Sequence, residues 1–390
     1  MAKVLAVINN ARFSLLPSTF AELTEGLRQL GHDAELAIFP DPNEGREEFE
    51  RGYGAICARI QDMLDRDEDF FILDSNCKLS YSSVRRTVPL RRFSYVTDAP
   101  WSQFEHIHSV GDDTTISYVD RNHRAFHDRL SPGRKAVFLP HGGPLPDPDW
   151  RDDRPIDVLF LGNLTAPCRM EHFESATLSL TEPLRRACRL ALDLILWEEV
   201  EAFQAITDAL AAEGLGIETL GLSPFIDLLS FVATFAESHQ RHQLLTSLPL
   251  VRITIAGRIS PSFFATPPPN VSSIGMVDET AAMALMRKSR ILLNSVTVFP
   301  AGSHERIWYG MACGAAICTD HSSFVEETMT YGRDILSLED AMASQGASLA
   351  EKLAASTGVL DTAHAARDLY AVHHTWRQRA RIIHAAMTGG

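Results

Sequence analysis

The stretch FPAGSHERIWYGMACGAAICTDHSSFVEE, Phe299 to Glu327, reads as loop, helix, strand, loop, helix. Pro300 and Gly302 break the chain, and Ser303 reads as a helix N-cap. Gly314 ends the helix after Cys313, because glycine accepts the left-handed conformation that closes a helix. Ala315 to Thr319 is an apolar run of strand length, and Ser323 with Glu326 spells a capping box for the next helix. The polar run Ser303-His304-Glu305-Arg306 therefore falls on a first helical turn. Unpaired backbone N–H groups and the positive end of the helix dipole lie there, which suits a phosphate. The same run also reads as the polar first turn of a surface helix, and the local pattern leaves both readings open.

Working outward, the same alternation fills the chain. Val4–Ile8 is an apolar strand, and Thr19 with Glu22 spells a capping box before the stripe Phe20, Leu23, Leu27, Leu30. Ala34–Phe39 is a second strand; Phe49, Tyr53, Ile56, Ile60 and Met63 mark a helix, and Phe70–Leu73 follows as a third strand. This β-α-β-α-β rhythm means a parallel sheet covered by helices. Further strands are expected at Phe93–Thr97, Thr115–Val119 and Ala136–Leu139, ending at Asp98, Asp120 and His141. Ligands of open α/β sheets bind at the carboxyl ends of strands, so these residues, Asp98 and His141 first, are site candidates. Each also reads as a turn or cap residue, and Asp74 reads simply as a strand-end turn. Pro144, Pro146, Pro148 and Pro155, mixed with Asp149, Asp152 and Asp153, form the clearest joint in the chain. A second rhythm starts at Ile156, but its next clear strand waits until Val251. The interval 165–248 carries helical stripes (Leu184, Cys188, Ala191, Ile195, then Val200, Phe203, Ile206, Leu210) and so reads as a helical insertion.

Composition narrows the function classes. A chain of 390 residues exceeds one ordinary domain and predicts two, each with its own core. The net charge of −14 argues against broad nucleic-acid binding, which needs a basic face. Arg85-Arg86 and Arg91-Arg92, the densest basic cluster, read as a solvated face. Six cysteines without a Cys-x-x-Cys pair argue against a disulfide framework and point to a reducing, cytoplasmic setting. No apolar run has the length of a membrane span, and no histidine–carboxylate spacing suggests a metal.

Several pieces follow one another in order: Val158-Leu-Phe-Leu-Gly162-Asn163, Ile253-Thr-Ile-Ala-Gly257-Arg258, Val271-Ser-Ser-Ile-Gly275, a helix over Asp278–Ser289, Ile291-Leu-Leu-Asn294, the opening stretch, and His374-Thr-Trp-x-x-Arg379-Ala380. The set resembles the nucleotide-sugar half of GT-B glycosyltransferases of the group 1 type, and within them the spore-maturation-protein-B-like branch. The resemblance spans roughly 157–386. It implies an α/β fold of two Rossmann-like doubly wound lobes with a crevice between them: an acceptor-side lobe over 1–150, and a nucleotide-sugar lobe over 151–361 that carries the insertion. It further implies a terminal helix over 362–390 crossing back to the first lobe. The implied activity is sugar transfer from a nucleotide sugar, a UDP-sugar first, to a glycan, protein or small-molecule acceptor, with no cofactor and no metal. The insertion reads as an acceptor platform, a homo-oligomer surface or a packed subdomain.

On that resemblance, Ser303, His304 and Arg306 would grip the diphosphate and Arg258 would join them, although Arg258 reads equally as a surface arginine. Gly162-Asn163 would let backbone approach the donor, and Asn294 would fix its sugar or base. Many retaining members carry two glutamates seven residues apart; here those positions hold Ala301 and Tyr309. Glu305, one turn before Tyr309, either substitutes for the second glutamate or merely favours the helix start. A general base, if one is used, would come from the first lobe as Asp98 or His141. A sugar-nucleotide epimerase and a non-catalytic nucleotide-sugar-binding protein are the alternatives.

Overall fold

The apolar runs Val4–Ile8 and Phe70–Leu73 are almost wholly withdrawn from water, as expected of central parallel strands buried on both faces. In the computed structural model, which describes residues 2–11, 14–43, 45–86, 88–111, 113–148, 153–295, 297–355 and 357–389, the chain divides into two units. One comprises Met1–Leu145 with Val372–Gly390, the other Pro146–Ala371. Asp149 and Asp152 of the proline-rich joint lie outside the described residues.

In the first unit, strands β1 (Lys3–Asn10), β2 (Asp33–Pro40), β3 (Phe70–Ser75), β4 (Arg92–Tyr95), β5 (Thr114–Tyr118) and β6 (Ala136–Phe138) form one sheet. Its order is β2-β1-β3-β4-β5-β6, and all pairings are parallel. Helices α1 (Leu16–Gln29), α2 (Arg46–Asp65), α3 (Phe104–Ser109) and α4 (His123–Leu130) connect the strands. Leu5, Val7 and Ile72 pack with Ile56, Ile60 and Met63 of α2. Phe20, Leu23 and Leu27 of α1 are fully buried, each contributing about 1.5–3 kcal/mol of hydrophobic stabilisation. The capping box expected at Thr19 does not form. Helix α1 begins three residues earlier at Leu16, with Pro17 preset for a first turn, and Thr19 is buried in its body.

The second unit repeats the plan. Strands β7 (Ile156–Leu161), β8 (Ile253–Ala256), β9 (Val271–Ser273), β10 (Ser289–Leu293), β11 (Ala316–Thr319) and β12 (Leu336–Ser337) stand in the order β12-β11-β10-β7-β8-β9, again all parallel. Between β7 and β8 lie α5 (Met170–Thr177), α6 (Glu182–Trp197), α7 (Ala202–Ala212), α8 (Ile217–Leu220) and α9 (Leu222–Thr246). The stripes read in the sequence are their buried faces: Cys188, Ala191 and Ile195 in α6, and Phe203, Ile206 and Leu210 in α7. Helix α9 is stitched to the chain leaving β7. Its Ser238 hydroxyl donates to the Ala166 carbonyl at 2.8 Å, and His239 Nδ1 lies 2.7 Å from the Cys168 carbonyl. After β9 come α10 (Glu279–Arg287), α11 (Glu305–Ala312), α12 (Ser323–Glu326), α13 (Leu338–Ala343), α14 (Ala347–Ala354) and α15 (Gly358–His373). The sheet and these helices share one core, including Val158, Ile255, Ile291, Leu244 and Leu338.

The terminal segment read as one helix is interrupted. Helix α15 ends at His373, Thr375 caps α16 (Trp376–Thr388), and residue 375 bridges to Gly143. Helix α16 then lies on α1 so closely that a Cβ at Gly26 would stand 2.7 Å from the Ala380 Cβ. All six cysteines are free thiols and buried. No helix among the described residues is long and apolar enough to cross a membrane.

Candidate functional site

The order of the second sheet reverses between β10 and β7, so the loops leaving their carboxyl ends diverge and open a gap there. Gly162-Asn163 follows β7, Gly257-Arg258 follows β8, and Asn294 follows β10. The first two loops cross in contact: a Cβ at Gly257 would stand 2.0 Å from the Gly162 carbonyl oxygen, so only glycine fits. Asn163 Oδ1 accepts from the Arg258 backbone N–H at 3.0 Å and fixes the crossing.

Helix α11 delivers Arg306 to this gap. Arg306 is 9% exposed, and its Nη1 lies 3.7 Å from where a Gly162 Cβ would be. Its Nη2 lies 2.8 Å from His304 Nε2, and His304 Nδ1 lies 3.1 Å from a Glu305 carboxylate oxygen. The guanidinium can only donate, so Nε2 accepts from it, while Nδ1 lies between the Glu305 carboxylate and the Arg306 backbone N–H at 3.3 Å. Arg306 Nη1 is buried without a hydrogen-bond partner among the described residues. Burial, and then the charge of Arg241, push the guanidinium down to about 10. A buried cation beside another cation and without an ion-pair partner of its own is costly to fold, and an incoming anion relieves that cost.

Arg241 is the residue the sequence reading missed. It stands on α9 of the insertion, paired with Glu237 one turn earlier; its Nη1 points to the Asn163 carbonyl at 3.5 Å, and its Nε is also buried without a partner among the described residues. The signal available was a Glu-x-x-x-Arg pair in the polar run 237–243, which follows the apolar first half of the helix. Asn294 completes the floor: it is fully buried, Nδ2 donates to Thr319 Oγ1 at 3.0 Å, and Oδ1 has no partner among the described residues.

Other expectations shift. Ser303 is not the cap of α11; His304 holds that position, and Ser303 Oγ, fully buried, accepts from Trp308 Nε1 at 2.9 Å. The cap of α12, by contrast, is one residue earlier than read, at Ser322, whose hydroxyl also reaches the Gly302 carbonyl. Glu305 is spent on His304, while Tyr309 is only 1% exposed, inside the unit. Arg258 is exposed, and its guanidinium reaches Met276 Sδ at 3.4 Å.

Residues 239–385 match the family model described as glycosyl transferase-like. None of the curated proteins matches the chain. Among solved structures, an α-glucosyltransferase in complex with UDP aligns at a TM-score of 0.57 and 10% identity, over 99% of this chain and 100% of that one. A sucrose-phosphate synthase from Thermosynechococcus elongatus aligns at 0.54 and 11% identity, over 99% and 98%. Anabaena HepE, in complex with UDP and glucose, aligns at 0.54 and 8%, over the full length of both. At such identities the likeness is one of fold. The glycosyl transferase-like match takes in Arg241, Arg258, Asn294 and the whole of α11, and the two parallel sheets are those of the GT-B fold.

In the first unit, Asp98 emerges beyond the carboxyl end of β4 and is exposed, with Thr97 Oγ1 3.3 Å and Gln103 Nε2 3.5 Å from its Oδ2. His141 is 2% exposed, edge-on to Tyr95, and its carbonyl accepts from Arg379 Nε at 3.1 Å. Arg379 of α16 thus clamps the loop that holds His141. Asp120 is buried, and its carboxylate accepts from the Asn122 N–H at 2.7 Å, an ordinary turn.

Two readings need correction there. Asp74 is not a strand-end turn residue, and Arg92 does not belong to a solvated face. The two form a buried ion pair at 2.7 Å, with side chains 0% and 6% exposed, and Tyr81 donates to the same carboxylate at 3.0 Å.

Proposed function

We propose that the protein is a glycosyltransferase, of the spore-maturation-protein-B-like kind, that takes its sugar from a nucleotide diphosphate, UDP first, without a catalytic metal. The observation that carries the reading is the unpartnered, buried Arg306 nitrogen beside Gly162 at the strand reversal. Two guanidiniums, Arg306 beside Gly162 and Arg241 beside the Asn163 carbonyl, flank a loop whose backbone is laid open by glycine, which is a setting for a diphosphate. UDP in two solved structures of the same fold supports the choice of nucleotide. Charge developing on the leaving diphosphate would be met by donors already in place. In this reading Glu305 and His304 position the Arg306 fork rather than touch the ribose. Asp98, exposed at the edge of the first sheet, is the base that takes the acceptor proton; His141, almost wholly buried, is better suited to holding the loop. The acceptor is a glycan, a protein side chain or a small molecule.

Calorimetric titration with UDP tests the grip. Arg306→Ala is expected to weaken binding by about 1.5–3 kcal/mol, the worth of a charge-assisted hydrogen bond. An unchanged affinity in a folded variant rejects Arg306 as a contact. Asp98→Asn is expected to lower turnover of the donor sugar about 10²–10⁴-fold while leaving UDP affinity intact. Full activity in that variant removes Asp98 from the chemistry.

A further inference from the structure

A cavity of about 410 Å³ lies in the same unit, off the carboxyl ends of β10 and β11, with the ends of α6 and α9 and the helix α13 as its other walls. We propose that this cavity is a subsite for an uncharged saccharide, the acceptor of the transfer proposed above, and that the helical insertion exists to form it. Its volume falls within the range of small-molecule sites, about 300–1,000 Å³.

Three observations fix the class of ligand. Trp197, the last residue of α6, lines the cavity and is 67% exposed, whereas the buried stripe of that helix is Cys188, Ala191, Leu192 and Ile195. An indole left bare on a cavity wall offers a flat apolar face and one N–H donor, which suits the apolar face of a sugar ring. Opposite polarity comes from the carboxylates of Glu199, Asp320 and Glu339 and the amides of Gln240 and Gln243. These groups accept and donate to hydroxyls, and the carboxylates repel a phosphate. Among the described residues the cavity is lined by no lysine or arginine, and the one basic side chain there, His321, is paired with Glu326 at 2.9 Å. An anionic nucleotide is thus disfavoured here, in contrast to the arginine-lined gap at Gly162.

The lining is also held in place. Ser295 Oγ donates to one Asp320 carboxylate oxygen at 3.3 Å, and Thr319 Oγ1 donates to the other at 3.0 Å. The same Thr319 hydroxyl accepts from Asn294, so one hydrogen-bonded chain runs from the floor of the phosphate gap to the wall of the cavity. Helix α9 borders both: Arg241 serves the gap, while Gln240 hydrogen-bonds Thr297 on the cavity side. A sugar in this cavity could belong either to an acceptor or to the donor, and the test separates them.

The full-length chain, saturated with UDP-glucose, is titrated with maltotriose, tri-N-acetylchitotriose and methyl β-glucoside, with binding followed by saturation-transfer NMR. At least one probe is expected to bind, and Trp197→Ala to weaken it about tenfold or more. UDP affinity, measured on the same samples, is expected to stay unchanged, and Leu190→Ala, at an exposed leucine of α6 outside the cavity, to have no effect. Binding by none of the three probes overturns the proposal, as does an equal loss in both variants. A probe that binds the free protein but is expelled by UDP-glucose also overturns it, because the cavity then holds the donor's own sugar. Loss of UDP binding by the unaltered protein would instead strike at the nucleotide reading, which this titration checks separately.

Discussion

Two arginines are buried in this molecule under opposite conditions. Arg92, in the first unit, meets Asp74 at 2.7 Å, and Tyr81 donates to the same carboxylate. Burial pushes the Asp74 carboxyl up, and the neighbouring guanidinium opposes that shift. Arg306, in the second unit, has an imidazole on one nitrogen and nothing among the described residues on another, and its guanidinium is pushed down to about 10. The first charge is compensated inside the fold, so the pair is structural. The second is left wanting an anion, and that want is what a ligand can satisfy. Burial of a charge therefore says little by itself; the presence or absence of its counter-charge separates scaffold from site.

The comparison can be broken most forcefully at Asp74. Asp74→Ala strands Arg92 and is expected to cost about 3–5 kcal/mol in denaturant unfolding, whereas replacing both partners by apolar residues recovers most of that loss. A cost below about 1 kcal/mol for the single variant would mean that the pair does not hold the first unit together.

A buried group can also escape compensation by giving up its charge, as His374 does. Burial first, and then Arg379, hold its imidazole down to about 2, against an ordinary value of 6.5. Between these values the unfolded chain binds a proton that the folded chain refuses. Stability is therefore whole above pH 6.5 and falls as the pH drops, by about 1.4 kcal/mol per unit, until the folded value is reached. Unfolding midpoints measured between neutral and mildly acidic pH check this, and His374→Gln should flatten the slope. An equally steep slope in that variant would remove His374 as its source.

The smallest expected effect is the most telling. Arg306→Met removes a buried charge that lacks its own counter-charge, so the ligand-free protein should lose less than about 1 kcal/mol of stability, or gain some. If the variant instead unfolds as readily as Asp74→Ala, the two arginines are of one kind and the distinction fails.

The helix–strand alternation was readable throughout because apolar period and glycine breaks are local properties. Gly314, with φ of +76°, ends α11 as its residue type requires. Caps were placed less accurately, since several hydroxyls compete within a residue or two. Ser322 rather than Ser323 took the cap of α12, and Ser303 went to Trp308 instead of the helix start. Of the donor-site candidates, Gly162, Asn163, Asn294, His304, Glu305 and Arg306 lie around the β7–β10 reversal or on its helix, while Arg258 is exposed beside Met276 and Tyr309 is buried. The site's strand ends were visible because parallel sheets always present loops at that edge.

Sequence alone thus determined where the strands and helices lie, that two parallel sheets form, and which loops end at a carboxyl edge. Only the tertiary structure decided the fate of the charges. Arg92 looked like one of four surface arginines until β3 set Asp74 beside it, and Arg241, which nothing in the sequence singled out, reaches the gap only because α9 docks on the chain leaving β7. Periodicity is written into neighbouring residues, but the electrostatic state of a side chain depends on groups within a few ångströms in space, and the packing of distant segments chooses those groups.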